Sequence, residues 1–565
     1  MNIPLIIVIL YVAFLLGLGI FMSKKEKKDG ENFLLYKGKN GTWITAVTIA
    51  GLAIGGASTI GIAQNAFVAG LSAGWYNVAW AFGAIVASFL VVKRFRNSGH
   101  NTVTGLVQDL FDKKTGVMMT IAMILIQCTI IALQYIAGGS ILASLLPDIF
   151  NINTGTFFSF LIFMLVAFVG GMGSVSLSNI INISLIYFGI IVASIMVFFN
   201  QGGWDAAMQM ASTSTDVPYL SFTDGMGIPA IIAWMVVMCG NTNSIQGVIQ
   251  IGLTSKDDKS AVNGFRLGAL MMIPIGFLCA MLGISSKALI PGVDATLALP
   301  MIILSLPPVI AGLTLSALWA ADMSTACSML IGCSTTVSQD IFFKTSMGQR
   351  YKDKAFAINK AIILIVGILT YILSSQLGSI LNAMKVCLSM AIGTSIVVLG
   401  GLCFSKFAGK NAGFFTILVS VLSAGAWLFV PGIQNVFSDV GYLMLLTTGV
   451  TFVVVSIFDK NKVENNKSLN YEKFEDVFIS LKNDEIDYGI LPFENSCTGA
   501  ITSVYDLISK YGFYKMFDRL HLPRKFWYIY EKSPAGSWRI LQGLDWRLLF
   551  DSYVDSGLLQ AAPKP

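Results

Sequence analysis

The stretch GLAIGGASTIGIAQNAFVAG, residues 51–70, decides the fold class. It is long and apolar enough to cross a bilayer, which takes about 20 residues of helix. It nevertheless gathers Gly55, Gly56, Ser58, Thr59, Gly61, Gln64 and Asn65 where lipid favours none of them. Small residues allow helices to pack closely. Packing has no use for two amide side chains, so the favoured reading is a helix broken inside the membrane. Its freed carbonyls would coordinate a cation, and its polar side chains would meet a solute.

A second stretch, AWMVVMCGNTNSIQGVIQIG (233–252), is interrupted in the same way by Gly240, Asn241, Asn243, Gln246 and Gln250. Paired interruptions in two halves of a chain point to a transporter built from inverted repeats. A third stretch, LSALWAADMSTACSMLIGCSTTVSQDIF (315–342), carries Ser324, Thr325, Ser328, Ser334, Thr335 and Thr336 at helical spacing. Hydroxyls in membrane helices commonly bond back to their own carbonyls. Beside freed carbonyls they also supply the oxygen ligands that hard cations take. Asp322 lies inside this stretch. A carboxylate at membrane depth is a functional candidate because its desolvation is costly. It reads as a coupling group, a salt-bridge partner of Lys385, or a neutral hydrogen-bonded acid.

The rest of the chain agrees. Of 565 residues, 55% are hydrophobic and 12% charged, and mean hydropathy is +0.72. Soluble globular proteins carry about 25% charge. The charge is also unevenly spread, with 14 Lys/Arg and 15 Asp/Glu lying from Asp459 onward. Residues 1–458 therefore cannot cover a soluble globule, which excludes a soluble enzyme, a disordered chain or a disulfide scaffold for that part. About thirteen spans are expected, near 3–22, 44–71, 73–93, 117–145, 156–177, 180–200, 226–252, 267–286, 308–342, 355–375, 378–404, 412–430 and 440–458. Connections at 23–43, 93–116, 253–266, 343–354 and 405–411 hold repeated Lys/Arg, and the alternate ones hold almost none. By the positive-inside rule the N-terminus is expected outside and the tail in the cytoplasm. The net charge of +6 is an orientation signal of this kind and implies no nucleic acid. The eight cysteines lack metal spacing, and two histidines cannot build a His-based metal site.

At these residues the sequence resembles the sodium:solute symporter family, over roughly residues 1–458. AADMSTACSMLIGCSTTVSQDI (320–341), GGASTIG (55–61), the GG…SNIIN stretch (170–182) and Q…Q…SKDDKSAVNG (246–264) carry the resemblance. It implies an all-α polytopic plasma-membrane protein with a leucine-transporter-like inverted repeat of five plus five helices. It further implies Na+-coupled symport of a small polar organic solute into the cell, by alternating access, with no cofactor. Proton-coupled symport through Asp322 and a transporter-like nutrient sensor stand as alternatives. By position, Na+ would be held by main-chain oxygens of Gly56, Thr59 and Ala321 and the hydroxyls of Ser324 and Thr325. The solute would lie near Gln64, Asn65, Asn241 and Asn243. Where family members with a second sodium site have an Asp, this chain has Asn179. Cys327 stands at the adjoining hydroxyl position, beside Ser328. A second sodium is not expected, and Asn179, Ser328 and Asp322 remain candidates for a coupling role. The resemblance says nothing of oligomeric state.

The tail, 459–565, is expected to be a cytoplasmic appendage with a small α/β-like fragment. Residues 472–512, with ILPFENS…G at 490–499, resemble the central segment of prephenate dehydratase. Neither the glycine-rich opening nor the Thr-Arg-Phe motif of that enzyme is present, so no enzymatic activity is expected.

Overall fold

The computed structural model describes residues 3–26, 38, 40–214, 216–351, 354–375, 380–430 and 432–463. Of the tail it describes 469–471, 475, 479, 488–495, 499–500, 506, 510, 514–522, 525–532 and 559–562. Backbone contacts divide the chain into a large unit, Met1–Arg96 with His100–Val463, and a smaller one, Glu464–Pro565 with Asn97–Gly99.

The large unit is helical. Its main elements are α1 (Ile3–Glu26), α2 (Thr42–Ala53), α3 (Ile60–Ala69), α4 (Trp75–Leu90), α5 (Val103–Leu110), α6 (Lys113–Leu145), α7 (Ile152–Ile195), α8 (Ile228–Ser244), α9 (Gln246–Thr254) and α10 (Asp258–Leu289). They continue with α11 (Pro308–Thr336), α12 (Ala355–Ser374), α13 (Ile380–Cys403), α14 (Lys410–Phe429) and α15 (Val440–Phe458). Among the described residues, ten helical segments are long and apolar enough to span a membrane, or eleven if the bent pair α8–α9 counts as one. The chain is thus a multi-pass membrane protein, with fewer qualifying spans among the described residues than the thirteen expected. One reason is physical. The stretch at 44–71 is cut into α2 and α3, neither of which alone reaches spanning length. The expected spans 156–177 and 180–200 both qualify, as Ile152–Val169 and Ile181–Asn200, on one helical backbone, α7, whose side chains at 170–180 lie outside the described residues.

Large apolar side chains face outward along these helices, among them Phe89, Leu270, Ile365, Leu369, Leu422 and Ile457, as hydrocarbon around the protein requires. The helix α11 is the opposite case: 83% of its most apolar window is buried, against α6, α7 and α2. Close approach elsewhere uses missing side chains. Gly264 of α10 leaves room for Thr45 of α2, where a methyl would lie 2.6 Å from Thr45 Cβ.

Polar contacts sort the connections to two ends. Arg96 Nε meets Asp258 Oδ1 at 2.9 Å, and Lys344 Nζ donates to Gln108 Oε1 at 2.7 Å. These bonds join the basic connections 93–116, 253–266 and 343–354. Gln201 Nε2 donates to Ser305 O at 2.9 Å, joining the basic-poor connections 201–225 and 287–307.

The smaller unit contains an antiparallel sheet of β1 (Leu469–Tyr471), β2 (Tyr488–Asn495), β3 (Gly499–Ala500), β4 (Tyr514–Leu522), β5 (Lys525–Lys532) and β6 (Leu559–Ala562). The strand order is β1-β6-β2-β5-β4, with β3 also paired to β2. The ILPFEN residues lie on β2, with Ile490 opposite Ile529 of β5.

Candidate functional site

The first membrane helix breaks where its glycines fall. The last turn of α2 closes with Ile54 N–H donating to Ala50 O, and the chain then extends at Gly55 (φ −116°, ψ −162°). A single tight turn, Gly56–Ser58, precedes α3. A break inside the membrane strands backbone groups that lipid cannot satisfy. Side chains take them instead. Ser58 Oγ donates to Ala53 O, Thr59 Oγ1 donates to Gly55 O at 3.0 Å, and Gly56 N donates to Gln134 Oε1 of α6 at 2.8 Å.

The hydroxyl face of α11 lies against this break. Thr325 Oγ1 donates to Leu52 O at 3.0 Å and reaches Gly51 O at 3.3 Å, linking α11 to the last turn of α2. Ser324 Oγ donates to Ala321 O at 3.0 Å, and Ser328 Oγ to Ser324 O at 2.9 Å. Asp322 is fully buried, and neither carboxylate oxygen has a hydrogen-bond partner. The bare Cα atoms of Gly55 and Gly56 show how near these groups come. A methyl on Gly55 would lie 2.6 Å from Thr325 Oγ1 and 2.9 Å from Gln134 Oε1. One on Gly56 would lie 2.9 Å from Asp322 Oδ1. Three side-chain oxygens from two helices thus converge on the glycine pair.

Of the sequence candidates for the cation, Gly56 and Thr325 come to this junction, joined by the coupling candidate Asp322. Ala321 and Ser324 are bonded to each other within α11, and Thr59 is tied to the turn it follows. The side chain of Asn179 lies outside the described residues. Its neighbour Asn182 donates to Ala320 O at 3.2 Å and accepts from Tyr11 O–H at 2.7 Å, while Cys327 Sγ contacts Phe163 O at 3.3 Å.

A narrow, partly open crevice lies beside the break, lined by Gly55, Tyr76, Trp80, Gln134, Thr325 and Leu388 among others. The Trp80 indole N–H is buried without a partner, and the Tyr76 ring stands edge-on to Trp234 at 5.0 Å. The four amides expected to meet solute do not line it. Gln64 Nε2 donates to Thr296 Oγ1 at 3.1 Å, and Asn65 is half-buried on α3. Asn241 Nδ2 donates to Val237 O at 2.9 Å and to Leu388 O at 3.3 Å, linking α8 to α13 behind the crevice wall. Asn243 Nδ2 donates to Cys239 O at 2.8 Å. The reading of the sequence passed over Tyr76, Trp80 and Gln134. Gln134 had a signal: with Gln127 it forms a pair of amides seven residues apart, on one face of an otherwise apolar span.

The second break, at Ile245, bends α8 from α9 by 54°. Gln246 follows it and ties the start of α9 to the start of α5, its Oε1 accepting from Val103 N and its Nε2 donating to Asn101 O, both at 2.9 Å. The structure thus contains two broken helices, α2–α3 and α8–α9.

Residues 33–412 match the sodium:solute symporter family. The chain belongs to that family. It is a secondary transporter that couples Na+ to the passage of a small solute across the membrane. Among its relatives, sodium/proline symporter 2 of Staphylococcus saprophyticus is 25% identical over 378 residues, 64% of this chain and 71% of that one. The sodium/proline symporter of Salmonella typhimurium is 22% identical over 379 residues, 63% and 74% of the two chains. Among solved structures, a Na+-coupled sialic acid symporter in a substrate-bound outward-open state superposes with a TM-score of 0.67. That match is at 18% identity and covers 81% of this chain and 98% of the other. A nucleobase-cation-symport-1 family transporter with bromovinylhydantoin bound gives 0.50 at 14% identity, covering 75% and 92%. At those identities the likeness is one of fold. Residues 452–524 separately match prephenate dehydratase.

Proposed function

We propose that Na+ binds at the first break, on the carbonyls of Gly56, Thr59 and Ala321 and the hydroxyls of Ser324 and Thr325, with the solute in the adjoining crevice. One observation carries this reading: Gly55 and Thr325 belong both to the oxygen-lined break and to the crevice wall. An ion that orders this junction orders one wall of the solute site, so each ligand raises the affinity for the other, and that reciprocity is the thermodynamic content of symport. At 100 mV the membrane potential supplies about 2.3 kcal/mol per charge, about fiftyfold accumulation per ion.

The crevice wall is aromatic and aliphatic, with the Gln134 amide and one unpartnered indole donor. It suits a compact organic solute carrying a hydrogen-bond acceptor, and the named activity of the relatives makes proline the first candidate. The basic connections gathered at one end support the orientation with the N-terminus outside and the chain end cytoplasmic. The two breaks support an inverted repeat of five plus five helices, and residues beyond the membrane unit form an appendage to it.

The test is uptake into proteoliposomes. Inward Na+ gradients should drive proline accumulation, with sialic acid, a hexose and a K+ gradient as comparisons. Accumulation of another solute under the Na+ gradient would overturn the solute class. Accumulation driven only by a pH gradient would overturn the ion assignment.

A further inference from the structure

We propose that the Asp322 carboxylate is the anionic ligand of the coupling cation, completing the oxygen set at the Gly55–Gly56 break. The inference rests on the placement of the ion at that break and adds a charged group to it.

Asp322 lies mid-helix in α11, wholly buried, with both oxygens unpartnered. It shares a helix face with Thr325, three residues on, and the two side chains address Gly56 and Gly55 in turn, with Gln134 Oε1 beside them. Among the described residues no cationic side chain pairs with it. Lys385, the salt-bridge partner considered for it, lies 3.5 Å from Asp439. A buried carboxyl retained without a partner is unfavourable whether it is ionised or carries a proton, because a buried donor or acceptor left unmade is costly in either form. The deficit is met by a ligand from solution, and the polar side-chain atoms that converge on Gly55 and Gly56 are oxygens, the donor set of a hard cation. A monovalent cation beside Asp322 makes a neutral pair and satisfies the carboxylate at once. In this protein the site therefore carries formal charge that hydroxyls and carbonyls alone would lack.

The experiment uses the purified full chain and Na+ itself as the probe. Thermal stability is followed while NaCl replaces choline chloride at constant ionic strength, for the wild type, Asp322→Asn, Asp322→Glu and Ser324→Ala. Asp322→Asn should raise the Na+ midpoint at least tenfold. Its Na+-free melting temperature should stay level or rise, since an uncompensated buried charge has been removed. Asp322→Glu should fall between the two. A wild-type midpoint in Asp322→Asn, with Ser324→Ala still shifted, overturns the role of Asp322 and leaves the ion site standing. Unshifted midpoints in both overturn the ion site as well. If the Asn variant does not fold, Asp322→Glu decides, and a wild-type midpoint there overturns the proposal.

Discussion

Replacing Gly55 with alanine tests the ion site through its packing. At φ −116° the backbone accepts an L side chain, so any effect is steric. The added methyl would sit 2.6 Å from Thr325 Oγ1, 3.1 Å from Thr325 Cβ and 2.9 Å from Gln134 Oε1. Ordinary contact begins near 3.4 Å, so Thr325 has to retreat by about 0.8 Å, as any overpacked core side chain must. It is held by its bonds to Leu52 O and Gly51 O, which weaken as it moves. Overpacking of this kind costs about 1–3 kcal/mol, and losing a hydrogen bond adds about 1 kcal/mol. If half of that falls on the Na+-bound form, the Na+ midpoint rises about five- to thirtyfold. Gly61→Ala is the control. Its methyl would meet Gly56 O at 3.6 Å, an ordinary contact, and alanine within α3 stabilises a helix by up to about 1 kcal/mol. The assay is the Na+ dependence of thermal stability, paired with Na+-dependent proline uptake. A wild-type midpoint in Gly55→Ala, or equal damage from Gly61→Ala, would refute the convergence on Gly55.

Other outcomes follow from the same geometry. Trp80→Phe keeps the ring and removes the unpartnered indole donor, so solute affinity should drop about five- to tenfold in an uptake assay while the solute-free Na+ midpoint holds. Asn241→Ala removes two bonds that link α8 to α13 and should cost about 2 kcal/mol of stability; lost solute binding with unchanged melting would instead place it in the solute site. Asp439 caps α15 through Gly441 N–H at 2.9 Å, so Asp439→Ala should cost about 1 kcal/mol. Lys385→Met, at a partly exposed pair, should change melting by less than Asp439→Ala does. Truncation after Val463 should preserve Na+-dependent uptake. Truncation after Phe458 should destabilise, since Val463 N–H donates to Ala408 O at 2.9 Å and Asp459 Oδ2 accepts from Asn411 N at 2.7 Å.

Much of the membrane unit was legible in the order of residues alone. Hydropathy and length are local properties, and they located the helices around Trp75–Leu90, Lys113–Leu145 and Val440–Phe458 before any packing was known. The glycines and amides at 55–65 and 240–246 marked both breaks, because polar groups in lipid are expensive wherever the chain folds. Asp322 stood out for the same reason. The boundary of the membrane unit was less legible. Charge density rises at Asp459, yet the backbone stays bonded to the helices as far as Val463.

What only the tertiary structure decided is which groups meet. Gln134 reaches Gly56 across 78 positions, and Thr325 reaches Leu52 across 273; no periodicity encodes either distance. Asn241 and Asn243, polar and beside a break, read as solute ligands; packing gives the Asn241 Nδ2 carbonyls of both α8 and α13 and the Asn243 Nδ2 one of α8. A polar side chain in a membrane helix must find a partner, and its sequence shows the need without naming the partner. That choice belongs to the packing of α2, α6 and α11, which leaves Asp322 at the break with no partner from the protein.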